Sequence, residues 1–218
     1  MGTFGGPDIV EDGLVFAIDA GSTRSYPGSG TTTTSLVGSN TGTLSNGVAY
    51  SSGNGGAFNF DGVDDFIDTT FTIPAGNRTL EFWIYYDSLV STSGGGYSLM
   101  GVQEGSGRYL YSGIESDGSG YSYAGDTGGA YSYTFSASRW YHIACVMDSG
   151  TARHYVDGAQ EATRTYSSSN ASTIEVMIGA INQQHEIDGL VPLTRVYNKA
   201  LSATEVLQNY NAQKSRFL

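Results

Sequence analysis

Residues 139–160 read RWYHIACVMDSGTARHYVDGAQ: two alternating apolar runs joined at Ser149-Gly150 and closed off by Asp157-Gly158. Small polar residues and glycine between two such runs signal a β-hairpin. If Ser149-Gly150 is a two-residue loop, Asp148 faces Thr151 and the rest of the ladder follows. Met147 then sits opposite Ala152, Cys145 opposite His154, and Ile143 opposite Val156. Side chains alternate faces along a strand, so these pairs share one apolar side. His142, Ala144 and Val146 share a wetter side with Arg153, Tyr155 and Asp157. A dry face and a half-wet face suit a sheet in a two-layer sandwich. A slip of one residue would bury Arg153 and expose Ile143, so burial enforces the register.

Working outward, Leu80-Glu81-Phe82-Trp83-Ile84-Tyr85-Tyr86 reads as a central strand, long, aromatic and β-branched. Leu14 to Ile18 is a buried strand. Ala57 to Phe60 and Phe66-Ile67 bracket the turn Asp61-Gly62-Val63-Asp64-Asp65. Residues 25–54 are rich in Gly, Ser, Thr and Asn and read as a surface excursion, with short strands near Leu36-Val37 and Val48 to Tyr50. Ile174 to Ile178 and Leu190 to Tyr197 are closing strands. Ser202 with Glu205 forms a capping box, and Leu201 and Val206 are placed for a hydrophobic staple. This predicts a helix from Ala203 to near Ala212 that docks Val206, Leu207 and Tyr210. Residues 1–12 read as an N-terminal tail or docking arm, 13–212 as the sandwich, and 213–218 as a short basic tail.

At 218 residues the chain suits one β-sandwich with a full core. It has 31 glycines and four prolines, a loop-rich β composition. The net charge is −11 with ten Lys plus Arg and no basic cluster, which disfavours nucleic acid and anionic membranes as partners. Cys145 is the sole cysteine, so no intrachain disulfide forms. The first residues carry no basic and apolar leader pattern, and no apolar run has the length of a membrane span. The expectation is synthesis in the cytoplasm without membrane insertion.

Five pieces of the chain resemble, in order, laminin-G-like domains of the concanavalin A-like lectin/glucanase superfamily. They are GLVFAIDAGSTRSYPGSG at 13–30, AFNFDGVDDFID at 57–68, TLEFWIYYD at 79–87, WYHIACVMD with RHYVDG in the hairpin, and EIDGLVPLTRVYNKALSATEV at 186–206. The resemblance implies an all-β, two-layer antiparallel jelly-roll sandwich with a short C-terminal helix. It implies no one activity, because such folds host lectins, glycosidases and adhesion modules alike. The opening, the GGAFNFDGVDDFID turn and the ending VYNKALSATEVLQNYNAQKSRF look like stand-alone laminin-G-like proteins of tailed bacteriophages. That likeness implies a non-catalytic virion protein, a capsid decoration or a tail or fibre module on the particle surface. Its partners would be a major capsid or tail protein in an oligomeric assembly, and surface glycans. A free carbohydrate-binding module is the alternative.

Four chemistries compete for the polar residues. Retaining glycoside hydrolysis needs two carboxyls about 5–5.5 Å apart. The glucanases of this superfamily take theirs from Glu-x-Asp-x-x-Glu. Glu186-Ile187-Asp188 begins that pattern, but Val191 stands where the second Glu belongs, which argues against an enzyme. Calcium is the second: Asp19, Asp61, Asp64, Asp65 and Asp188 lie at strand ends beside Gly, and Ca²⁺ takes six to eight oxygens. Asp19 and Asp188 lead as ligands, followed by Asp61 and Asp64, with plain Asx-turns as the alternative. Third, Tyr109, Tyr111, Tyr121, Tyr123, Tyr131 and Tyr133 alternate along their strands as a glycan or partner surface, or as framework. Fourth, Cys145 opposite His154 suggests a thiol and base, but no third orienting residue accompanies them, so a packed pair is expected. His142 and His185 read as structural, and Asn77 and Asn170 as chance sequons.

Overall fold

The computed structural model describes residues 8–89, 97–104, 107–115, 117–124, 127–166, 175–180 and 185–218, with backbone alone at 97–104, 107–112, 123–124, 127–128 and 130. Most of the expected N-terminal arm, together with Asn170 and Ile174, lies outside these residues. The strands are β1 (Leu14–Asp19), β2 (Thr32–Thr34), β3 (Thr41–Ser45), β4 (Ala49–Ser51), β5 (Ala57–Asp61), β6 (Phe66–Thr72), β7 (Arg78–Tyr86) and β8 (Tyr97–Glu104). They continue with β9 (Gly107–Ile114), β10 (Ser119–Ala124), β11 (Thr127–Thr134), β12 (Arg139–Asp148), β13 (Thr151–Val156), β14 (Ala159–Thr165), β15 (Glu175–Ile178) and β16 (Asp188–Tyr197). One helix, α1 (Ala203–Phe217), follows.

Two antiparallel sheets form the sandwich. The first runs β14-β13-β12-β7-β16-β5-β4, with β1 paired to the C-terminal half of β16. The second runs β11-β10-β9-β8-β15-β6-β3-β2. The hairpin has the expected register, Ile143 opposite Val156, Cys145 opposite His154 and Met147 opposite Ala152. Its turn is left-handed at both positions (Ser149 φ 47°, Gly150 φ 89°), and so is the next (Asp157 φ 52°, Gly158 φ 80°). Two consecutive left-handed residues match the twist of the strands they join, which is why Gly stands second in each.

Strand β7 shows how the layers divide. Leu80, Phe82, Ile84 and Tyr86 point into the core between the sheets, with Phe16, Phe58, Ile67, Ile143 and Ile178. The alternate residues Thr79, Glu81 and Trp83 are also buried, but on the other side of the sheet. The expected half-wet face is dry over most of its length, with His142, Ala144 and Val146 wholly covered and Tyr155 2% exposed, while Arg153 and Asp157 stay part-exposed as expected. Val10, Leu201 and Val206 pack onto Ala144, Val146 and Tyr155, and Tyr210 of the helix reaches His142, ring centroids 5.8 Å apart. The small side chains Ala144 and Val146 leave room for that second layer.

The capping box forms as expected, with Ser202 Oγ accepting from Glu205 N, and Leu201 and Val206 join one cluster. The helix runs five residues past its expected end. Residues 213–217 are helical rather than a tail because Phe217 packs on Trp83 and Trp140, ring centroids 4.5 and 4.8 Å away. Arg216 fixes that end to the sandwich. Its guanidinium donates to Asp19 at 2.9 and 3.0 Å and to the carbonyls of Asn54, Gly55 and Gly56. Leu207 does not dock; it is 44% exposed. Residues 8–12 lie on this chain's own helix, where Val10 N donates to Asn209 Oδ1 at 2.7 Å and Gln208 Nε2 to the Asp8 carbonyl at 2.7 Å. In the 25–54 excursion β4 falls on the expected stretch near Val48 to Tyr50, while β2 and β3 take Thr-rich segments of the second sheet rather than Leu36-Val37, with β-branched Thr33 and the core residue Leu44 buried there.

Candidate functional site

The turn between β5 and β6 gathers carboxylates at one end of the sandwich. Asp61 N donates to Asp65 Oδ2 at 3.1 Å, and Asp61 Oδ1 accepts from Val63 N at 2.9 Å, an Asx-turn. Asn46 Nδ2 holds the Asp64 carbonyl at 2.8 Å. Gly62 is left-handed, and a Cβ there would come 2.9 Å from that of Asp188, so the close approach of β16 requires glycine. Asp61, Asp64 and Asp65 each bring an oxygen within 4.8 Å of the others. Asp65 is 2% exposed, and its Oδ1 has no hydrogen-bond partner among the described residues. Burial pushes its carboxyl up to about 6, helped by Asp61 and Asp64 and opposed by the Asp61 amide. Asp188, opposite Asp61 in register, is raised by burial and by Asp87 and Asp61. An orphaned buried oxygen among crowded carboxylates fits a hard, oxygen-seeking cation such as calcium.

Asp19, expected to lead with Asp188, is elsewhere. It pairs with Leu193 on β16, five positions from Asp188 and so about 16 Å along the strand. Its carboxylate is taken by Arg216 and by the Gly21 amide. Asp65, left out of the leading candidates, is the most buried member of the cluster; its place next to the first strand residue of β6 was the available signal.

The hydrolase pattern does not assemble on β16. Val191 is 2% exposed and packs in the core, while Glu186 is 5% exposed. No carboxylate can therefore reach a substrate from the position of Val191.

The tyrosines divide. Tyr131 belongs to the core, not the surface: it is 5% exposed and stacks on His154 at 4.9 Å with planes 7° apart. Its ring lies over Gly120, where any Cβ would collide with it. Tyr133 is half-buried against Phe135 and Tyr141, with ring centroids 4.8 and 6.2 Å away. Tyr121 is half-exposed and stands opposite Gly113 and Ala130. Tyr111 lies opposite Tyr123, but the side chains of Tyr109, Tyr111 and Tyr123 are outside the described residues. His154 Nε2 lies 2.9 Å from Ser122 Oγ, and burial, then Arg164, lowers its pKa to about 4. Burial pushes the Cys145 thiol up to about 12, against Arg78. The Cys145–His154 pair is packed, neutral and inert.

A buried polar cluster under α1 has no role in the sequence reading. Glu81 Oε1 accepts from Arg195 at 2.7 Å, Oε2 accepts from Asn209 at 2.6 Å, and Asn209 also donates to Tyr197 Oη at 3.0 Å. His142 Nε2 lies 3.3 Å from Glu81 Oε1, at ion-pair distance but off the line of a hydrogen bond. Burial alone would raise Glu81, yet His142, Arg195 and Asn209 hold its carboxyl down at about 2. Glu81 and Arg195 in the midst of apolar strands were the signal, since buried charges are nearly always paired.

Two antiparallel layers with an acidic loop rim define a lectin-type β-sandwich. Residues 61–207 match the family described as the concanavalin A-like lectin/glucanases superfamily, and the chain belongs to it. Among solved structures it is similar to a mutant of Trypanosoma rangeli sialidase displaying trans-sialidase activity (TM-score 0.72, 16% identity, 94% of this chain and 34% of that one). It is also similar to domain 4 of AbnA, a GH43 extracellular arabinanase from Geobacillus stearothermophilus, in complex with arabinotriose (TM-score 0.68, 15% identity, 90% and 98% covered). A third likeness is to the botulinum neurotoxin type G receptor binding domain (TM-score 0.69, 14% identity, 91% and 51% covered). The chain spans about a third of the length of the sialidase. At these identities the likeness is one of fold. Comparison with curated protein sequences finds no match.

Proposed function

We propose that the protein is a non-catalytic carbohydrate-recognition module that adheres to glycans. One observation carries the reading: the strand position where glucanases of this superfamily place their second carboxylate is Val191, sealed in the core. Binding without cleavage is also in keeping with a fold shared with an arabinanase domain solved with arabinotriose. Calcium belongs to the proposal, with Asp61, Asp64 and Asp65 as ligands and Asp188 adding its charge to the site. The ion would neutralise the crowded carboxylates and fix the rim turn.

The setting drawn from the sequence resemblance is the outside of a tailed-bacteriophage particle. There the module would dock to a major capsid or tail protein as one copy of an oligomeric assembly. A glycan array probed with the purified chain tests the first part: saturable binding to a set of related glycans supports it, and binding to none rules it out. Mass spectrometry of purified virions tests the second, which fails if the chain is missing from them.

A further inference from the structure

The acidic rim lies at the Asp188 end of β16. At the Tyr197 end, about 30 Å away along the strand, a cleft of about 520 Å³ opens between the outer face of β13–β14 and the segment leading into α1. Its polar wall carries Arg153, Asp148 and Gln160, and the facing wall carries Lys199 and Glu205. Ala200 and Ala203 give it a small apolar strip above the buried Leu201.

We infer that this cleft is the site where the module holds a neutral saccharide; the inference rests on the glycan-binding reading above. The size is right, since ligand clefts run from about 300 to 1,000 Å³. The charge pattern selects the ligand class. Arg153 is paired with Asp148 at 3.1 Å, and Lys199 with Glu205 at 2.9 Å and Asp12 at 2.6 Å. Every cation already faces a carboxylate, so an anion finds no uncompensated positive charge. What the pairs do offer is donors beside acceptors. Arg153 gives one of its five N–H groups to Asp148. Gln160 accepts from Tyr155 Oη at 3.2 Å and donates to Thr163 at 3.0 Å, which fixes its carboxamide plane. A sugar hydroxyl both donates and accepts, so vicinal hydroxyls match donor–acceptor pairs of this kind. The apolar strip suits the C–H face of a pyranose or furanose ring. Asp148 is itself held by Asn77 Nδ2 at 3.2 Å, so the wall is pre-organised.

The test is titration calorimetry of the full chain with a panel of neutral trisaccharides of glucose, mannose, galactose or arabinose. Arg153→Ala, Gln160→Ala and, at the far rim, Asp61→Asn are compared with the parent, and circular dichroism verifies each fold. The expected result is binding by the parent that weakens about tenfold or more in both cleft variants and is retained in Asp61→Asn with calcium absent throughout. Binding left intact by both cleft substitutions overturns this site while leaving the glycan reading standing. Binding of no saccharide here or on an array overturns both.

Discussion

Asn209 of the helix donates to the buried carboxylate of Glu81 at 2.6 Å while its Oδ1 accepts the Val10 amide at 2.7 Å. One side chain thus joins the N-terminal segment, the helix and the central strand of the first sheet. The module is three layers thick at this point, and the third layer is tied on by polar contacts as well as by aromatic packing.

Removing the charge at the centre of that tie should be costly. Glu81→Gln leaves Arg195 buried without a counter-ion, a change of about 3–5 kcal/mol in systems of this kind. The sign with pH follows from the depressed carboxyl. Its folded pKa of about 2 is below its ordinary 4.5, so the stabilisation is present above pH 4.5 and lost as pH falls toward 2. Urea melts of parent and variant from pH 7 to pH 2.5 should converge at the acid end; a constant gap across that range would refute the assignment.

The end of the helix reports through fluorescence. The chain has two tryptophans, and Phe217 touches both, Trp83 and Trp140. Phe217→Ala should lower stability by about 2–4 kcal/mol and shift the emission to the red as water reaches the indoles. Arg216→Ala should produce the same red shift in weaker form by freeing the helix end from Asp19. Unchanged emission in both would mean the helix is held elsewhere.

Calcium and Asp65 are linked. The folded carboxyl is raised from 3.8 to about 6, so its ionised form penalises the folded state above pH 6, and the penalty fades as pH falls from 6 toward 3.8. In the absence of calcium, Asp65→Asn should therefore raise the melting temperature at pH 7. Calcium should raise that of the parent and do little for the variant. Equal calcium responses would remove Asp65 from the site.

His154 acts in the opposite sense. Its folded pKa of about 4 is below the ordinary 6.5, so the neutral ring favours the fold above pH 6.5 and that preference is lost as pH falls toward 4. The full effect is on the order of 3 kcal/mol. Replacing it with Gln should flatten the stability profile between pH 6.5 and 4, read by denaturant midpoints at half-unit steps.

The hairpin at 139–160 was legible residue by residue, because period-2 alternation and two Gly-closed turns leave one register. The helix start was equally plain from Ser202 and Glu205. The helix end was not: Arg216 and Phe217 read as tail because their partners, Asp19, Trp83 and Trp140, are 77 or more residues away in sequence. Separation in sequence also hid the covering of Ala144 and Val146 by Val10, Leu201 and Val206, on a face that looked half-wet beside Arg153. Tyr131 misled for a related reason. Alternation shows that Tyr131 and Tyr133 share a face, but not which face meets the other sheet. The acidic turn was visible as a cluster, whereas the pairing of Asp19 with Arg216 could be read only from the fold.

The most direct measurement is to incubate the chain with a polysaccharide recovered from a glycan array, following retention on the polymer and release of reducing ends together. Saturable retention with no reducing sugar released over the buffer blank is the predicted result. Release that rises with protein concentration would contradict it, since Val191 would then have to be bypassed by an acid from elsewhere.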